Sequence, residues 1–153
     1  MTPVFRTEIA SIALTLLVTA SAALADMGGP PSFGLASDAN YIAAKKAADA
    51  KDWNKAVYYL KYVKSDDADV YNLRGYSFRH LGNFDEAFSN YKLALQIDPN
   101  HRGAHEYVGE AYLLTSNPAM AEQHLAALDR ICGKGCEEYR DLAREIAEYK
   151  KKH

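Results

Sequence analysis

From Tyr71 to Asn100 the chain reads YNLRGYSFRHLGNFDEAFSNYKLALQIDPN. Its apolar residues fall three or four positions apart, which puts one greasy stripe on each of two helices. Gly75 and Ala87 are small where the two antiparallel helices must approach closely, and Phe78, Phe84 and Tyr91 fill the space around that contact. Pro99 ends the second helix, because proline lacks the backbone donor and drives the preceding residue out of helical geometry.

The pattern recurs. Gly75, Phe78, Ala87, Tyr91 and Ala94 return 34 residues later as Gly109, Tyr112, Ala121, Leu125 and Leu128. Only the last pair breaks the match of small with small and large with large. A glycine inside a helix costs about 1 kcal/mol relative to alanine, so its return at Gly109 signals a packing need. Upstream, Trp53, Ala56, Leu60 and Val63 match Phe84, Ala87, Tyr91 and Ala94 at an offset of 31. The missing three residues fall in the connection after that helix, where Ser65-Asp66-Asp67 is short and deletions leave core registers intact. At the other end Tyr139, Ala143 and Ile146 follow His105, Gly109 and Tyr112 by 34, so the last helix imitates a first helix.

Tyr71, Arg74-Gly75, Phe78, Ala87, Tyr91, Ala94 and Pro99 resemble the tetratricopeptide-repeat pattern. Arg74 departs from it, standing where the family has Leu, with Leu73 beside it. The unit His105–Ile131 is a weaker copy, with His105 in the aromatic slot and Pro118 opening its second helix. The unit from Ser37 to Val63 is weakest in its first helix, which carries Ala44 and Ala47. The resemblance implies an all-α, right-handed α-solenoid over residues 37–150. Its three helix pairs cover 37–67, 68–101 and 102–135, and a capping helix covers 136–150. On that capping helix Glu137, Glu138, Arg140, Asp141, Arg144, Glu145 and Glu148 are expected on an outer, water-facing side.

The chain has 153 residues, 48% hydrophobic and 25% charged, with a net charge of −2. That is a folded composition without general attraction to nucleic acid or anionic lipid. Residues 1–25 read as a secretory signal peptide: Arg6, an apolar run from Ile9 to about Val18, then Ala23-Leu24-Ala25 as cleavage site. The alternative is an uncleaved anchor, for which the run is short. The expectation is a periplasmic or secreted product cut after Ala25, with no membrane insertion of the mature chain. Residues 26–36 are expected to form a flexible Gly/Pro-rich lead, with Phe33 and Leu35 able to pack on the body.

Cys132 and Cys136 are the only cysteines, and in an exported chain they are expected to form a disulfide. A thiol metal or redox site is the alternative. His101 and His105, four apart, suit a divalent cation on one helix face, but no further ligand completes a set, so no metal is assigned. No phosphate loop, nucleophile elbow or Cys with an oriented base is visible, so neither enzyme activity nor a cofactor is expected.

By the resemblance, the inner faces of the first helices line a groove. The positions are Tyr41, Lys45, Asn72, Tyr76, Arg79, Glu106, Glu110 and Leu113. Lys45 and Arg79 would make a positive end, Glu106 and Glu110 a negative end. Chaperone-adaptor members of the family grip a terminal carboxylate with Lys, Arg and Asn. Tyr41 and the acidic third repeat depart from that clamp, and the activity is not carried over. The leading expectation is a non-enzymatic scaffold or adaptor in the cell envelope that binds a protein or peptide segment. Two other classes stay open: a metal-handling protein using His101, His105 and the cysteines, and a self-assembling homo-oligomeric module.

Overall fold

The structure is a computed structural model that describes residues 34–153. The signal peptide expected over residues 1–25, and the lead through Phe33, lie outside the described residues. Among the described residues there are seven α-helices and no strand: α1 (Ala39–Asp49), α2 (Trp53–Leu60), α3 (Ala68–His80), α4 (Phe84–Ile97), α5 (Arg102–Leu114), α6 (Pro118–Cys132) and α7 (Glu137–Lys152). They pack as the pairs α1/α2, α3/α4 and α5/α6. The first helix of each later pair, and then α7, stacks on the pair before it. The result is an all-α solenoid with one unpaired terminal helix.

Each pair is closed by the same turn. Lys51, Gly82 and Ser116 occupy equivalent positions and all have positive φ, at 59°, 75° and 60°. The next residue in each case, Asp52, Asn83 or Asn117, sends its N–H back to a carbonyl five residues earlier. These bonds, to Ala47, Phe78 and Tyr112, are 2.9, 3.0 and 2.7 Å long and satisfy carbonyls left open at the helix end. The same Asx side chains then accept the N–H of Lys55, Glu86 and Met120, capping the second helix. One short sequence element thus ends one helix and starts the next.

The core is a row of small clusters, one per pair and junction. Ala44, Leu60, Val63 and Val70 form the first. Ala87, Tyr91, Val108 and Ala111 join the second pair to the third. Leu113, Ala121, Leu128, Leu142 and Ile146 seat α7. The two helix glycines sit in different surroundings. A Cβ on Gly75 would stand 2.8 Å from the Tyr91 ring of its own pair, whereas one on Gly109 would stand 2.6 Å from Leu142 of α7. The residue equivalent to Tyr91 is the shorter Leu125, and a leucine of the following helix fills the space instead.

Arg74 has a structural task. Its guanidinium donates to the Leu60 carbonyl at 2.8 Å, at the end of α2, and lies over the Tyr71 ring at 5.4 Å. Leu73 supplies the aliphatic packing beside Trp53. Of the lead expected over residues 26–36, the part from Gly34 is described. A 3-10 turn over Leu35–Ser37 lays Leu35 on the first cluster, and the Asp38 carboxylate accepts the Asn40 and Tyr41 N–H groups. At the other end α7 runs to Lys152 rather than to residue 150. Glu137 and Glu138 in its first turn and three lysines in its last complement the helix dipole.

Candidate partner-binding groove

The first helices α1, α3, α5 and α7 line two adjoining cavities. The smaller, about 370 Å³, is bordered by Tyr41 and Lys45 of α1 and Asn72 and Tyr76 of α3. The larger, about 770 Å³, is bordered by Tyr76 and Arg79 of α3, Glu106, Glu110 and Leu113 of α5, and the inner side of α7. Tyr76 and Tyr107 border both. Helix spacing explains the arrangement. Tyr76 and Arg79 are three apart, and so are Glu110 and Leu113, while Glu106 and Glu110 are four apart. Each helix therefore presents one face to the groove. Sequence spacing did not single out Tyr107, whose ring centroid lies 4.7 Å from that of Tyr76 across the groove floor.

The structure changes the charge pattern expected of these residues. Arg79 is not a free positive end. Its guanidinium lies 2.6 Å from the Glu110 carboxylate, with the arginine side chain 9% exposed. It also lies over the rings of Tyr76 and Tyr107, at 5.2 and 5.6 Å. Leu113 borders the cavity but is buried, packing towards α6 and α7. Asp141, Arg144, Glu145 and Glu148, expected on an outer side of the capping helix, border the larger cavity. The reason is register: α7 is a fourth first helix, so part of its polar face turns into the groove. Adding the 34-residue period to Tyr107 and Glu110 lands on Asp141 and Arg144, a signal that could have found them.

Burial dominates the electrostatics. The Glu106 carboxyl is pushed up to about 8, by burial first and then by Glu110, Asp141 and Glu138, with Arg79 opposing. Glu110 is also raised by burial, although Arg79 pulls the other way. Burial together with Asp69 and Asp67 pushes the Tyr41 hydroxyl up to about 12. The Asn72 side-chain oxygen is buried without a partner.

His101 and His105 turn to different partners. His101 caps α5: its Nδ1 accepts the Ala104 N–H at 3.1 Å, so Nε2 carries the proton and donates to Asp69 at 3.0 Å. His105 turns to α6 instead. Its Nε2–H donates to the Pro99 carbonyl at 3.0 Å, which leaves Nδ1 to accept from His124 Nδ1 at 2.9 Å. Neither His101 nor His105 keeps a lone pair for a metal. Cys132 and Cys136 stand at disulfide-bonding distance, with Cα atoms 5.9 Å apart. Glu138 brings a carboxylate near the two sulfurs.

Residues 68–101, the α3/α4 pair, match the family model described as Tetratricopeptide repeat. That pair is a tetratricopeptide repeat within the all-α solenoid. Among solved structures it is similar to the TPR2B domain of yeast Sti1, in a structure titled as a TPR2B-domain:pHsp70 complex. The likeness has a TM-score of 0.66 at 22% identity and covers 74% of this chain and 95% of that one. No curated protein matches the chain. Most groove residues come from α1, α3, α5 and α7, with Trp53 of α2 at the edge of the smaller cavity.

Proposed function

We propose that the chain is a protein-interaction scaffold of the cell envelope, exported by its N-terminal segment, whose groove holds a segment of a partner protein. Tetratricopeptide repeats are interaction modules, generally without chemistry of their own, and they bind protein or peptide partners. The observation that carries the reading is the continuity of the two cavities through Tyr76 and Tyr107. The tyrosine rings of Tyr41, Tyr76 and Tyr107, an amide and charges of both signs offer apolar contact and hydrogen bonding along one track. In the oxidising compartment that this reading implies, Cys132 and Cys136 form a disulfide tying α6 to α7.

The experiment is affinity capture with the tagged chain from an envelope extract, comparing the native protein with Tyr76→Ala. Loss of the captured protein, with helicity unchanged by circular dichroism, is the expected result. Undiminished capture by the variant rejects the groove. Cell fractionation with N-terminal sequencing tests export: a mature chain starting at Asp26 is expected, and a cytoplasmic chain starting at Met1 rejects it.

A further inference from the structure

The larger cavity holds more negative than positive charge, and its two arginines are already used. Arg79 is paired with Glu110 at 2.6 Å and Arg144 with Asp141 at 2.7 Å. Among the described residues, Glu106 and Glu145 in the same cavity have no ion-pair partner. The smaller cavity is balanced, with Lys45 and Lys51 facing Asp49 and Asp69. The floor already holds one cation: the Arg79 guanidinium rests over Tyr76 and Tyr107 with a carboxylate at its tip.

We infer that the α5–α7 half of the groove takes a lysine or arginine side chain of an extended partner segment, held against Glu106 and Glu145. This rests on the groove reading above and adds the chemistry of the occupant. Four first helices spaced about 10 Å apart make a track of about 30 Å, the length of roughly nine extended residues. An acidic segment would meet Glu106, Glu145 and Glu148 without a free cation to offset them, except Lys152 at the rim. The cation also has a proton to displace. Glu106 is held protonated near neutrality by burial and by Glu110, Asp141 and Glu138, against Arg79. Binding of a basic segment therefore strengthens as pH rises towards 9.

The test is panning of a randomised nine-residue peptide display library on the full chain at pH 8. Captured peptides are expected to be enriched about fivefold in Lys and Arg, the scale of a partly desolvated charge contact. A synthetic basic peptide from that set should lose about fivefold in affinity on Glu106→Gln and on Glu145→Gln. Its affinity should rise between pH 6.5 and 9 with the native chain (values chosen to bracket the Glu106 transition near 8) and stay flat with Glu106→Gln. No enrichment of basic residues, or no peptide captured, overturns the inference. Apolar or acidic peptides whose binding Tyr76→Ala abolishes would overturn the charge preference while leaving the groove in place. Basic peptides indifferent to Tyr76→Ala, Glu106→Gln and Glu145→Gln would overturn both.

Discussion

Arg79 of α3 and Glu110 of α5 meet at 2.6 Å beneath the groove, with side chains 9% and 20% exposed. Removing one partner of such a pair strands the other charge away from water. Glu110→Leu or Arg79→Met alone should cost about 3 kcal/mol, whereas the double variant should lie close to the native chain. Urea titration of the four proteins measures this. Additive losses would show that the two groups act independently.

His124 is held low, at about 4, by burial and by His105 beside it. A folded-state value below the unfolded value of about 6.5 gives stability that is complete above pH 6.5 and lost as pH falls towards 4. After discounting for the part that solvent reaches, the loss should be about 2 kcal/mol. His124→Phe keeps a ring beside Tyr112 and should flatten the acid limb of the stability profile. An unchanged limb would assign it to other groups.

Lys51 and Ser116 hold positive φ where the middle turn has Gly82. The left-handed region is strained for residues with a Cβ, and glycine relieves it at some entropic cost. Lys51→Gly and Ser116→Gly should each stabilise by about 0.5–1 kcal/mol. Gly82→Ala should do the reverse. Thermal melts decide, and a loss in the first two variants would contradict the turn equivalence.

Gly75 faces the buried ring of Tyr91, while Gly109 faces the methyl groups of Leu142. A ring edge yields less than a leucine tip. Gly75→Ala should therefore cost about 2 kcal/mol and Gly109→Ala less, each after the gain in helix propensity. Equal losses would show that Leu142 is held as firmly as Tyr91.

The Cys132–Cys136 bridge closes a short loop, so reducing it should cost about 2 kcal/mol. Reduction with dithiothreitol should lower the melting temperature of the native chain but not of the Cys132→Ser/Cys136→Ser variant. Identical melts with and without reductant would remove the bridge from the stability of α7.

The repeat made the helix pairs legible, because small and large residues recur at fixed spacing wherever helices touch. The groove positions followed from the family resemblance rather than from the period, and Tyr41, Lys45, Asn72, Tyr76, Glu106 and Glu110 border the two cavities. Charge was not legible. Nothing in the spacing of Arg79 and Glu110 says that two side chains on different helices will neutralise each other. The partner of His105 was hidden for the same reason, since His124 lies 19 residues away on the next helix. A capping role predicts a polar side of α7 turned wholly to water, whereas the register of that helix follows α5 and carries part of the polar side inward.

That last helix closes the final hydrophobic layer with Leu142 and Ile146 and walls the larger cavity with Asp141 and Glu145. Fraying of residues 137–152 and occupancy of the track are therefore linked equilibria. A bound segment would slow amide exchange along that helix even at sites it never touches, so the helix would report on the ligand.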